Sequence, residues 1–189
     1  VYYWWAPGGD RQILNTGSHL LEGIPRADSS FAEDTVNLTT YPPCDSVQGR
    51  HHVDVGTVEW TTNWSYPAAL RRVYRYKPLV GNSRKHWSGI TQDDVGFGLQ
   101  ELDPGAIYPR HAHRCPEVYF ILEGSAEFSV GDQNFTATPA TAVLIPPDEV
   151  HRIANTARGK LRWIYFWWAP GGKKEVLDVG SHLVDTGIH

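Results

Sequence analysis

The 189-residue sequence has no methionine, only two cysteines, and little excess of either charge, with a net of −4. Each shortage removes a class. Cys44 and Cys115 are too few for a disulfide framework. So small a net charge carries no polyelectrolyte signal, so no nucleic-acid partner is expected. No apolar run approaches the ~20 residues a membrane helix needs, so no membrane partner is expected either, and the cytoplasm is the default compartment. A chain that opens on Val1 without any methionine does not show a native translation start. Hydrophobic residues at 41% and charged residues at 20% argue against a disordered chain. The length supports one domain with a proper core, or one domain plus an arm.

What the sequence does have is histidine in a pattern. The stretch GAIYPRHAHRCPEVYFILEG runs from Gly105 to Gly124. His111 and His113 sit two apart, so on an extended strand both imidazoles leave the same face. Glu117 follows a bend at Cys115 and Pro116 and opens the apolar strand VYFIL, and PPDEVHRIAN offers His151 after a proline turn. Three neutral imidazoles and one carboxylate make a mixed nitrogen and oxygen set. Such a set suits one divalent transition metal, Fe(II), Mn(II), Ni(II), Co(II) or Zn(II), and leaves positions open to a small-molecule substrate. His51 and His52 are adjacent, so on a strand they point to opposite faces and cannot both serve one metal. Cys115 reads as a packed loop thiol.

These spacings resemble the two cupin motifs. Gly105, His111, His113, Glu117 and Gly124 match G(X)5HXH(X)3-4E(X)6G at every fixed position. Ala140, Pro146, Asp148, His151 and Asn155 follow G(X)5PXG(X)2H(X)3N, with Ala140 and Asp148 in place of its two glycines. The resemblance covers roughly residues 95–170. It implies an all-β double-stranded β-helix, a jelly-roll barrel with His111, His113, Glu117 and His151 holding a metal in its mouth, and a homodimer. Tyr119, one pleat beyond Glu117, is similar in placement to the tyrosine base of the cupin dimethylsulfoniopropionate lyases, as are Tyr108-Pro109 and the aromatic strand IYFWW.

A repeat shapes the rest. VYYWWAPGGDRQILNTGSHL at 1–20 returns as IYFWWAPGGKKEVLDVGSHL at 164–183. Each copy reads as a closing strand, a Pro-Gly-Gly turn and a short second strand. Residues 1–23 are therefore an N-terminal arm, either the tail of an upstream cupin or a strand completing a sheet in this barrel or a partner's, with the first favoured. Residues 24–94 form a loop-rich region with a few strands, and 95–189 the barrel with the metal site. Within 24–94, HVDVGTVEWTTNW reads as one or two strands and ALRRVYRYKPLV as another, its Arg71, Arg72, Arg75 and Lys77 forming a basic cluster. From Gly96 to Trp168 eight short strands alternate with tight turns. Strand parity turns Ile107, Pro109, His111 and His113 inward, together with Glu117, Tyr119 and Ile121. It also puts Trp163 and Trp167 on one face of the closing strand and Trp168 on the other.

Three function classes follow. The first is a metal-dependent lyase removing a β-leaving group from a small carboxylate, with Tyr119 as base. The second is an Fe(II) dioxygenase on a small aromatic or dicarbonyl substrate. The third is a non-catalytic cupin binding a small effector. The complete ligand set favours an enzyme, and Tyr119 favours the lyase.

Overall fold

The structure, a computed structural model, describes residues 52–81, 90–92, 94–173, 175–178 and 181–184. The first copy of the repeat, the arm, Cys44 and His51 lie outside the described residues. Two sheets face one another. The six-stranded sheet has the order β2-β1-β3-β10-β5-β8 and the five-stranded sheet the order β11-β4-β9-β6-β7. Their members are β1 (Tyr74–Gly81), β2 (Ile90–Thr91), β3 (Val95–Leu102), β4 (Ile107–Ala112), β5 (Glu117–Glu123), β6 (Ala126–Val130), β7 (Gln133–Ala137), β8 (Ala142–Ile145), β9 (His151–Asn155), β10 (Leu161–Trp168) and β11 (His182–Leu183). All eight strands expected between Gly96 and Trp168 form. The core lies between the sheets, where Leu102, Ile121, Phe128, Ile145, Ile153, Leu161 and Trp163 are buried. Among the described residues no helix is long and apolar enough to cross a membrane.

Three readings of local structure are corrected. Residues 52–64 hold a short 3-10 turn, Val55–Thr57, and a single bridge from Thr61 to Tyr76 in place of strands. Asp54 caps that turn, accepting from the Gly56 N–H at 2.7 Å, and so diverts the chain from extension. Residues 69–73, read as strand, belong to the helix α1 (Ala68–Val73), and β1 begins only at Tyr74. Pro67 precedes a run of Ala, Leu and Arg, residues that favour a helical turn where no ladder partner is available. In the second repeat copy a helix, α2 (Glu175–Asp178), lies between the Pro-Gly-Gly turn and β11.

The fourth correction concerns parity in β4. Ile107 is largely exposed and Tyr108 is buried, the reverse of the expected alternation. The pairing of β4 with β9 runs Ile107 to Ala154 and Tyr108 to Ile153, then shifts before His111 meets His151. A bulge places an extra residue in one strand and reverses the faces on either side of it. His111 therefore still turns inward while Tyr108, three residues earlier, joins it in the interior.

Candidate metal centre

The site forms where the sheets approach across the turn between β4 and β5. His111 and His151 face each other in register on β4 and β9, with ring centroids 3.9 Å apart. His113 stands in the turn. Glu117, the first residue of β5, comes from the opposite sheet and pairs in register with Trp167 and Ile145. All four side chains are buried. His113, Glu117 and His151 each offer a ligand atom, and these lie within 4.8 Å of one another. His111 adjoins that set through His151 without belonging to it, and its ring centroid is 6.2 Å from that of His113.

Each imidazole is held by its Nδ1. The partners are the carbonyls of Pro109 for His111 at 2.8 Å, Cys115 for His113 at 2.7 Å and Glu149 for His151 at 2.9 Å. A ring whose Nδ1–H donates to a carbonyl keeps its Nε2 lone pair for a ligand, the arrangement that orients metal-binding histidines. The Nε2 atoms of His111 and His151 are buried and lack a partner among the described residues. His113 Nε2 meets Glu117 Oε2 at 2.8 Å. Burial holds His111 well below its ordinary range, the more so because a proton on it would be repelled by one on the adjacent His151, and burial holds His151 down to about 4. Both are thus neutral, as ligands must be. Burial also works against a charged His113, but hydrogen bonds with Cys115 and Glu117 and the Glu117 charge outweigh it and raise it to about 11, so a proton sits between His113 and Glu117 where a bound cation would take its place. Orphaned nitrogens beside a carboxylate fit a divalent transition metal held by nitrogen and oxygen donors.

A cavity of about 260 Å³ opens beside these groups. Its lining includes His113, Cys115, Glu117 and Tyr119, and its commonest residue is tyrosine from elsewhere: Tyr66, Tyr74, Tyr76, Tyr108 and Tyr165, with Trp167 beside them. Tyr119 is buried, its ring centroid 6.2 Å from that of His151. Burial and the nearby Glu117 charge push its phenol well above the usual range. The Tyr108 ring lies 4.1 Å from that of His111, tilted by 48°, and its hydroxyl meets that of Tyr66 at 2.6 Å. Cys115 is a buried free thiol, pushed up by that burial, as expected of a packed loop residue.

The sequence pointed to the histidines, the glutamate and Tyr119, and missed the aromatic wall. One signal for it was present. In β3, VGFGLQEL, Gly96 and Gly98 lie in register opposite Trp167 and Tyr165. A Cβ at Gly96 would stand 2.1 Å from the Trp167 ring, and one at Gly98 would meet Tyr165 at 2.7 Å. Glycine inside a strand marks the close approach of another group, and here it lets both rings lie against the sheet.

The cupin-domain family (Cupin_2) matches residues 98–167. Auxin-binding protein 1 of Arabidopsis thaliana is 30% identical over 78 residues, 36% of this chain and 39% of that protein. The 5-nitrosalicylic acid 1,2-dioxygenase of a Bradyrhizobium species is 24% identical over 110 residues, 51% of this chain and 46% of the enzyme. The chain thus spans less than half the length of these curated relatives. Among solved structures, the DMSP lyase DddQ from Ruegeria pomeroyi DSS-3 superposes with a TM-score of 0.56 at 21% identity, over 68% of this chain and 62% of that one. At that identity the likeness is one of fold. Two facing sheets, the motif spacing of Gly105–Gly124 and the family match agree: residues 98–167 carry a cupin domain.

Proposed function

We propose that the protein is a metal-dependent cupin lyase that removes a β-leaving group from a small carboxylate, with His111, His113, Glu117 and His151 holding one divalent transition metal and Tyr119 acting as base. The observation that carries this reading is the set of carbonyl-tethered imidazoles, two with buried, unpartnered Nε2 atoms, next to a carboxylate and a buried phenol on the same inward face. A bound dication supplies Lewis acidity toward the substrate carboxylate and a positive field that favours the phenolate.

The chain's own residues do the rest. Glu117 and Tyr119 alternate inward on β5, so the phenol oxygen faces the space beside the ligand set. There it takes the proton from the carbon next to the carboxylate. The electron pair of that C–H bond becomes the new C=C bond, and the β-substituent leaves with the pair of its own bond. The tyrosine rings around the cavity exclude water from the developing charge. The named activities of the fold neighbour and of the curated dioxygenase both support an enzyme. The dioxygenase reading draws separate support from the flat aromatic walls, which suit an aromatic substrate.

Single replacement of His111, His113, Glu117 or His151 by Ala lowers metal content measured by elemental analysis, while the barrel still melts cooperatively. Full occupancy in His151→Ala would overturn the four-ligand assignment. Tyr119→Phe keeps the ring and its packing, so metal content is expected to hold while kcat falls by ~10²–10⁴. The assay uses dimethylsulfoniopropionate and small aromatic diols, each with and without oxygen. Turnover that needs oxygen and survives Tyr119→Phe would replace the lyase reading with the dioxygenase.

A further inference from the structure

The cavity has a second polar end that the ligand set does not use. Gln100 lies on β3, with Tyr76 of β1 and Trp163 of β10 beside it in register. It is 7% exposed and lines the cavity. Its Nε2 donates to the Tyr74 hydroxyl at 2.7 Å, while its Oε1 has no partner among the described residues. A buried amide oxygen without a hydrogen bond is destabilising, so an orphan on a side chain that lines a cavity points to a ligand group.

We propose that Gln100 and Tyr74 form a subsite for a hydroxyl group, and that the substrate is a small carboxylate carrying a hydroxyl at the end remote from that carboxylate; this rests on the reading that places the carboxylate at the His and Glu set. The pair offers one donor and one acceptor whichever way the amide is turned. With Nε2 on Tyr74, the tyrosine keeps its own proton to give and Oε1 accepts. With the amide reversed, Tyr74 donates to Oε1, keeps a lone pair to accept, and the Nε2 hydrogens are free. A hydroxyl is the smallest group that uses both.

Both ends line one cavity of about 260 Å³, which has room for a single small molecule: Gln100 and Tyr74 on one part of the wall, His113 and Glu117 on another. Tyr108 lies between the two parts, stacked on Tyr74 at 4.4 Å with the planes 6° apart and 4.1 Å from the His111 ring at a tilt of 48°. No lysine or arginine is among the described lining residues, so nothing there neutralises a second anion such as a phosphate.

Two probe pairs test the proposal on the full chain by titration calorimetry. Phenol against benzene, on metal-free protein, reads the subsite alone. On metal-loaded protein, 4-hydroxybenzoate against benzoate reads both ends. The hydroxylated member of each pair is expected to bind ~10-fold or more tightly, because an analogue lacking the hydroxyl leaves the buried amide unpaired. Gln100→Leu brings both ratios to about 1 with metal content unchanged. Tyr74→Phe, which keeps the stacked ring, reduces them and serves where the leucine variant does not fold. A ratio near 1 in the unaltered protein, or one that persists in Gln100→Leu, overturns the proposal. If phenol is preferred while neither benzoate binds, the subsite stands and the placing of the carboxylate at the metal set fails.

Discussion

Ala140 and Asp148 occupy the two motif positions that are glycine elsewhere, and both keep glycine's backbone, with φ of 68° and 61°. The turns before β8 and β9 are thus built as the motif demands, at the expense of strain. The left-handed region costs a residue with a Cβ about 1–2 kcal/mol, whereas aspartate's short polar side chain tolerates it better. Glycine in turn adds freedom to the unfolded chain, a penalty of about 0.4–1 kcal/mol. Ala140→Gly should therefore stabilise the fold by up to ~1 kcal/mol in urea unfolding, and Asp148→Gly should gain nothing. Equal responses at the two sites would show that strain does not distinguish them. Asn155 needs no such trade: its Nδ2 lies 3.0 Å from the carbonyls of Leu102, Asp103 and Gly159, tying β9 to the end of β3. The asparagine of the second motif thus fastens the end of β9 remote from His151.

At the scale of elements, β3 carries opposite jobs on its two faces. Inward it supplies Gln100 to the cavity wall, while Gly96 and Gly98 make room for the wall residues Trp167 and Tyr165. Outward it sets Glu101 between Arg75 of β1 and Arg162 of β10, its register neighbours on both sides. Arg75 Nε donates to Glu101 at 2.8 Å and Arg162 Nε at 2.7 Å, with Lys160 joining them. Burial works to raise the Glu101 carboxyl, but hydrogen bonds from Lys160, Arg162 and Arg75 outweigh it and hold it at about 2, below its ordinary 4.5. A carboxyl lowered by folding stabilises the native state above 4.5, and that stabilisation is lost as pH falls through about 2. The stability deficit of Glu101→Gln is therefore constant above about pH 5 and shrinks steadily below it, as read by denaturant midpoints across that range. A deficit independent of pH would show that shape, not charge, is what Glu101 supplies. The basic cluster read in the sequence thus has a partner it could not reveal. Arg75 binds Glu101, and Lys77 lies 5.1 Å over the Trp60 ring.

The whole molecule shows how much of this was legible. Strands 96–168 could be read because turn residues punctuate short apolar runs. The ligand candidates could be read because His111, His113 and Glu117 lie within seven residues. The bulge before His111 could not, since it is a property of how β4 pairs with β9, and neither strand alone encodes it. The tyrosine wall joins residues from Tyr66 to Tyr165, a contact between distant segments that no local pattern carries.

The repeat gains a structural meaning from its second copy. WWAPGG closes β10 in the six-stranded sheet, and His182-Leu183, thirteen residues beyond Ala169-Pro170 in reach of the other sheet, pairs with His111 and Ala112 at the edge of the five-stranded one. The unit is thus a clasp that runs from one sheet to the other, and this barrel already has its own. Residues 1–20, which lie outside the described residues, repeat that unit, and the reading proposed for them is the clasp of another barrel, not a strand this one needs. Deleting residues 1–20 should then leave the melting temperature, the metal content and the number of subunits read by light scattering unchanged. The alternative, an arm that pairs along a sheet edge of this protein or of a second copy, predicts a lower melting temperature in the first case and a halved number of subunits in the second. Either change would remove the upstream-barrel reading, because a clasp with no barrel to close has nothing here to stabilise.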